Sequence, residues 1–308
     1  MFYKSTLMKR FPLVSILTSS YNQGRFIEDT ILSVQGQDYP NIEHIIIDGG
    51  STDNTLNILQ KYGDRIIWIS EKDKGQADAY NKGLKIAKGE IIGMLNSDDF
   101  YVDRGVVSYV VNLFQTNESI DVIYGDAVWV DQNNKVLKVY LRPKFSHNRL
   151  KRFDFIPHPS AFIKRNSIPT PLFRDDLNFA MDYDLWLRMM ENGCKFMHID
   201  RIISAMRHHS LAKSVKHKLE MWKEGDVLRN KFNDYNSFVY QLNKIIDLLL
   251  LLSLKFKGLK VFYSLEKIIN PPIQILFPDK LERFIYQLNF KGTSSPFSIF
   301  KYLFGSHK

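Results

Sequence analysis

Ile42-Glu43-His44-Ile45-Ile46-Ile47-Asp48-Gly49-Gly50-Ser51-Thr52-Asp53 is the stretch that decides the fold. Three consecutive isoleucines leave no polar face, so the run predicts a strand, Ile42–Asp48, buried on both sides as strands of parallel sheets are. The run stops at a carboxylate and two glycines, and Ser51-Thr52-Asp53 supply capping side chains for a helix through Tyr62. The same alternation recurs on either side of it. Leu13–Thr18 is a β-rich run, and Arg25–Gln37 follows it as a helical pattern with apolar residues at Phe26, Ile27, Ile31, Leu32 and Val34. Ile66–Ser70 predicts a third strand, Gln76–Ala87 a helix, Glu90–Leu95 a fourth strand, Asp103–Thr116 a helix and Asp121–Val130 a strand. Short apolar runs alternating with helical patterns indicate βαβ units: an α/β, Rossmann-like fold with a mostly parallel central sheet flanked by helices.

After Lys135 the pattern becomes mixed. Phe155–Lys164 carries two prolines and reads as a strand beside a loop. Asp182–Asn192 is a short helix stopped by Gly193, and Lys195–His208 is a further strand. From about His217 the chain reads as helical.

The 308 residues can bury a substantial core, and the single cysteine, Cys194, excludes an intrachain disulfide framework and suits a reducing compartment. No apolar stretch lies near Met1, so no secretory signal is expected. The formal net charge is +9, and basic residues outnumber acidic ones between residues 230 and 308. Within that region Ile245–Leu254 is intensely apolar but too short to cross a bilayer, which takes about 20 residues. Lys255, Lys257 and Lys260 follow it, interleaved with Phe256, Phe262 and Tyr263. That composition suits a helix lying in an anionic membrane interface, and equally a helical appendage packed on the protein. Nucleic acid is a poor partner, because the basic residues are scattered among bulky apolar ones and no binding motif occurs.

Several chemistries are disfavoured. There is no G-x-x-x-x-G-K-[ST] loop and no G-x-G-x-x-G after the first strand, which argues against a kinase-type phosphate loop and a dinucleotide fold. No G-x-S-x-G nucleophile elbow is present. Open α/β sheets bind ligands at the carboxyl ends of their strands. Here three strands end in Thr18-Ser19-Ser20-Tyr21-Asn22, Asp48-Gly49-Gly50-Ser51 and Asn96-Ser97-Asp98-Asp99. Each alone reads as turn or cap residues; together they gather hydroxyls and carboxylates at one edge. The Asp98-Asp99 pair suits either a hard cation, Mg²⁺ or Mn²⁺, bridging a diphosphate, or a solvated helix N-terminus.

These segments resemble glycosyltransferase family 2. The resemblance is carried by Val14-Ser15-Ile16-Leu17-Thr18-Ser19-Ser20-Tyr21-Asn22, by Ile31-Leu32-Ser33-Val34-x-x-Gln37, and by Glu43-x-Ile45-Ile46-Ile47-Asp48-Gly49-Gly50-Ser51-Thr52-Asp53. It continues through Asp73-x-Gly75-x-x-x-Ala79-x-Asn81-x-Gly83, Asn96-Ser97-Asp98-Asp99, Asp182-Tyr183-Asp184-Leu185-Trp186-Leu187-Arg188 and Arg207-His208-His209. The matches span about two thirds of the chain, Val14 to about Ser214.

The resemblance implies a GT-A fold with a helical C-terminal appendage, and an inverting enzyme. Its donor would be a nucleotide-diphosphate-sugar (a UDP-sugar favoured), its cofactor Mn²⁺ or Mg²⁺, and its acceptor a saccharide or lipid-linked saccharide. Carried over by position, Thr18, Ser20 and Tyr21 lie beside the nucleotide, Asp48 contacts the base and Asp73 lies nearby. Asp98 and Asp99 form the metal and ribose motif, and Asp182 is the catalytic base. His209 either touches the diphosphate or completes a strand end. Many relatives have Asp where this chain has Asn96, and commonly Glu where Met181 precedes the base.

The implied organisation is a basic leader (1–10), a catalytic domain (11–215) with its nucleotide-sugar half in 11–100 and acceptor half in 101–215, and a basic-aromatic region (216–308). The implied location is cytoplasmic, peripheral on the inner face of the plasma membrane. Two other readings remain at this level: a nucleotidyltransferase on a related sheet, and a non-catalytic sugar- or membrane-binding module.

Overall fold

The computed structural model describes residues 11–209, 212–213 and 217–231. The leader and the apolar, basic-aromatic stretch expected to meet a membrane lie outside the described residues, and those to Leu228 belong to one compact unit. No helix among the described residues is long and apolar enough to cross a membrane.

The first half follows the expected alternation: β1 (Val14–Ser20), α1 (Ile27–Gln35), β2 (Ile42–Asp48), α2 (Thr55–Tyr62), β3 (Ile67–Ser70), α3 (Gln76–Ile86) and β4 (Ile91–Met94). The second half contains β5 (Phe100–Tyr101), α4 (Val106–Thr116), β6 (Val122–Val130), β7 (Val136–Tyr140), α5 (His147–Leu150), β8 (Ala161–Lys164), α6 (Met181–Glu191), β9 (Phe196–Arg207) and α7 (Lys218–Asn230). The sequence pattern did not reveal β5 and β7. Phe155–Lys164 contributes only its last four residues as a strand, behind a 3-10 turn at His158–Ser160.

The nine strands among the described residues form one sheet in the order β3-β2-β1-β4-β8-β6-β9-β5, with β7 on β6. β1 pairs in parallel with β2 and β4, β2 with β3, and β6 with β9. β8 runs antiparallel between β4 and β6 and joins the two parallel parts. Along β6, β8 pairs with Val122–Tyr124 and β7 with Ala127–Val130, antiparallel in both cases. At the handover, a Cβ on Gly125 would stand 2.6 Å from the Arg201 carbonyl oxygen and 2.5 Å from Ile203. Only glycine fits so close a backbone approach.

Strand alternation sorts the helices onto two faces. Val14 and Ile16 of β1 pack with α4 through Val106, Val107, Val110, Val111 and Phe114. Ile46 of β2 packs with Ile27 and Ile31 of α1 and Ile58, Leu59 and Tyr62 of α2. On the opposite pleat, Leu17, Ile45 and Ile47 face α3 at Gly83. Each buried isoleucine contributes roughly 1.5–3 kcal/mol, so these faces hold the strand ends in register and fix where their polar termini emerge.

Candidate active site

A cleft of about 940 Å³ opens at the carboxyl ends of β1, β2, β3 and β4 and extends to β6, β7 and the start of α6. Ser19, Ser20, Tyr21, Gly49, Gly50, Lys72, Asp73 and Gln76 line one part of it. Asn96, Asp98, Asp99, His158 and Asp182 lie along it, and Trp129, Tyr140, Arg142 and Lys213 line another part.

The expected nucleotide residues divide between the cleft and the core. Ser19 and Ser20 line the cleft, and the Ser20 hydroxyl is buried with no hydrogen-bond partner among the described residues, an arrangement a ligand would satisfy. Tyr21 is exposed at the rim. Thr18 lies deeper along β1, where its hydroxyl is 3.0 Å from Nε2 of the buried His44, and it is not among the cleft-lining residues. Asp48 is also fully buried and outside the lining. It accepts from the Gly50 and Ser51 amides and the Ser51 and Ser70 hydroxyls, so it shapes the β2–α2 turn. That turn presents Gly49 and Gly50. Gly50 has φ +83°, and a Cβ on Gly49 would stand 2.8 Å from Asp73 Oδ2. Asp73 lines the cleft and accepts from the Gly75 amide; burial pushes its pKa above the usual carboxylate value.

The acidic pair also divides. Asp98 lines the cleft and holds one oxygen 3.0 Å from Nε2 of His209; its Oδ1 has no protein partner among the described residues. His209 is not itself a lining residue. It sits against Phe26 and orients Asp98. Asp99 is buried, with Oδ1 accepting from the Arg207 amide (2.9 Å) and Oδ2 from the Asn96 side-chain amide (2.9 Å). Burial first, and Asp98 beside it second, raise the Asp99 pKa. Among the described residues no group of three or more His, Cys, Asp or Glu side chains could hold a metal. The donor set nonetheless fits a Mg²⁺-like ion, which is typically bound through one or two carboxylates with substrate phosphates and water. Asp98 has the free oxygen for that role, whereas both Asp99 oxygens are committed to the protein.

Arg207, whose side-chain role the sequence left open, fastens this corner. It donates through Nη1 to the Asp98 carbonyl (3.0 Å) and through Nη2 to Asp29 (2.6 Å) and Asn134 (2.5 Å). Its guanidinium also lies over Phe26 and Phe100.

Asp182 stands in the first turn of α6. One oxygen accepts from the Tyr183 amide; the other lies 3.1 Å from Nδ1 of His158. Nε2 of His158 lies 3.0 Å from Asn96 Oδ1, which also accepts from Gln76 Nε2 (2.7 Å) and the Tyr80 hydroxyl (2.9 Å). Asp182, His158, Asn96 and Asp99 therefore form one hydrogen-bonded chain between the expected base and the acidic pair. The turn entering α6 is held by Glu224 of α7, which accepts from the Asn178, Phe179 and Ala180 amides. Sequence reading did not single out His158. Its only signal is its place between Pro157 and Pro159, which restrict the backbone around it.

Comparison with known proteins matches residues 15–168 to "Glycosyl transferase family 2". The chain is 33% identical over 225 residues to a chondroitin synthase of Escherichia coli, an alignment covering 72% of this chain and 32% of that protein. The chain thus spans about a third of that relative's length. It is 30% identical to a UDP-Glc:alpha-D-GlcNAc-diphosphoundecaprenol beta-1,3-glucosyltransferase, WfaP, of Escherichia coli, over 71% of this chain and 86% of the relative. In structure it resembles TarS of S. aureus, crystallised with UDP-GlcNAc, with a TM-score of 0.56, 18% identity, and coverage of 70% of this chain and 66% of that one. The fold is that of the GT-A glycosyltransferases.

Proposed function

This chain belongs to glycosyl transferase family 2, and from that premise we propose that it transfers a sugar, with inversion, from a nucleotide-diphosphate-sugar to a hydroxyl of a saccharide or lipid-linked saccharide. The observation that carries the reading is the pairing of Asp98 and Asp182 along one cleft floored by the strand ends. A UDP-sugar is the favoured donor, since the relative WfaP is named for UDP-Glc and TarS was crystallised with UDP-GlcNAc. WfaP is also named for an acceptor on diphosphoundecaprenol, which supports a lipid-linked acceptor and a cytoplasmic site of action against the membrane.

In this reading Ser19, Ser20, Gly49, Gly50 and Asp73 receive the nucleotide. Asp98 would hold a divalent cation, Mn²⁺ or Mg²⁺, which when bound would supply positive charge to offset that on a leaving diphosphate. Asp182 accepts the proton of the attacking hydroxyl, a step typically contributing about 10²–10⁴ in rate. His158 keeps the Asp182 carboxylate turned toward the cleft.

The test is release of nucleoside diphosphate from a panel of nucleotide-sugars with Mn²⁺ present. Turnover of at least one donor is expected. Release from none of them, with or without saccharide acceptors, overturns the proposal.

A further inference from the structure

Arg142, just beyond β7, lines the cleft in a condition uncommon for a half-buried cation. Among the described residues its buried Nε has no hydrogen-bond partner and no carboxylate forms an ion pair with it. What holds it is stacking. The guanidinium lies 4.0 Å over the Tyr140 ring, Tyr140 stacks on Trp129 (4.9 Å between centroids, 23°), and Trp129 stacks on His208 (5.2 Å, 16°). The column runs across β7, β6 and the end of β9. Stacking restrains a guanidinium through its flat face and leaves the in-plane N–H fork uncommitted, which is the geometry that grips carboxylate or phosphate bidentately.

A cation desolvated to this degree without an acceptor carries a cost, and burial accordingly lowers the Arg142 pKa. Asp126 and Asp154 are near enough to favour its charge, but Asp126 already accepts from the Arg142 backbone amide and from His198. The strand order separates Arg142 from the β1–β3 ends, with β4 and β8 between β1 and β6. It therefore stands away from the nucleotide part of the cleft.

We propose that Arg142, held by the His208–Trp129–Tyr140 column, is an anion-recognising acceptor subsite, selecting a saccharide that carries a negatively charged group, phosphate or carboxylate, near the hydroxyl to be modified. This deepens the glycosyl-transfer reading and rests on it. Neutral sugars meet only the aromatic column, whereas an anionic acceptor also fills the fork.

The test uses the full chain saturated with UDP and Mn²⁺, so that phosphate probes cannot enter the donor part. Binding of three probes is measured by titration calorimetry: a short-alkyl diphosphate-linked N-acetylglucosamine, a glucuronate-terminated disaccharide, and its neutral glucose-terminated counterpart. At least one anionic probe should bind about tenfold or more tighter than the neutral one, the size expected of hydrogen bonds to a charged group. Which of the two does so separates a phosphate from a carboxylate. Arg142→Gln should erase the preference while the neutral probe still binds, which reports an intact fold, and Arg142→Lys should restore only part of it. Equal affinity for all three probes in the unmodified protein, or a preference that survives in Arg142→Gln, overturns the subsite. Nucleotide-sugar turnover by the same preparation is read separately, so failure of transfer and failure of anion selection are distinguishable.

Discussion

Nδ1 of His158 lies 3.1 Å from Oδ2 of Asp182, and Nε2 of the same ring lies 3.0 Å from Oδ1 of Asn96. Asn96 Oδ1 also receives the Gln76 side-chain amide and the Tyr80 hydroxyl, so the His158 ring bridges two oxygen sites. The ring is thereby fixed at both ends, and it fixes Asp182. His158→Ala should lower kcat by about a hundredfold, the scale of a misplaced reactive group, with the donor KM nearly unchanged. His158→Asn, which retains a polar group near the Nδ1 position, should recover part of the loss. A rise in donor KM alone would assign His158 to binding.

Asp182→Asn should remove the proton acceptor while preserving shape. Transfer should fall by about 10²–10⁴, with nucleotide binding by calorimetry retained. Strong residual transfer would take Asp182 out of the mechanism.

A chelator should abolish nucleotide-sugar turnover, and Mn²⁺ or Mg²⁺ should restore it. Asp98→Asn should raise the metal concentration needed for half-maximal activity. Asp99→Asn should act chiefly on thermal stability, because both oxygens of Asp99 serve Arg207 and Asn96. Full activity in a chelator would defeat the metal assignment.

His44 is buried, and burial lowers its pKa from 6.5 to about 3. Its folded pKa is depressed, so the neutral ring's contribution to stability is fully present above pH 6.5 and is lost progressively as pH falls toward 3. The Tm should drop between pH 7 and pH 4. A double variant, His44→Leu with Thr18→Val, should show a smaller drop over that window. An identical drop would place the acid sensitivity elsewhere.

Arg207→Met should leave the Asp98 carbonyl and the Asn134 side chain without their donor, at a cost of about 2 kcal/mol or more by denaturant unfolding. Donor affinity should fall with it, since the Asp98–Asp99 segment is hung on this side chain.

The strands and helices that could be read in the sequence were those whose burial is one-sided or complete. Ile45-Ile46-Ile47 admits one reading, and β2 has the bounds that the run predicts. β7 escaped because it is a short edge ribbon: Lys138 splits its apolar residues, Leu137 is exposed and only Val139 is buried, so no clean alternation announces it. Its signal was the turn before it, where Asn134 adopts φ 65°. Within the site, the acidic residues were legible as strand termini, and the resemblance assigned them roles. Depth along β1 separates Thr18, buried against His44, from Ser20 at the strand's end, a distinction that a list of terminal residues ignores. His158 and Arg142 could not be found by local pattern, because each gains its meaning from partners far along the chain: Asp182 and Asn96 for one, Tyr140 and Trp129 for the other.

Because β7 pairs with β6 and no other strand among the described residues, the ribbon carrying Tyr140 and leading to Arg142 hangs from the sheet by a single seam. Provided that Asn134 keeps its bond to Arg207, the ribbon's length and side chains can be exchanged without touching the registers of β1 with β2 and β4. A scaffold organised this way can change what it glycosylates while keeping what it glycosylates with.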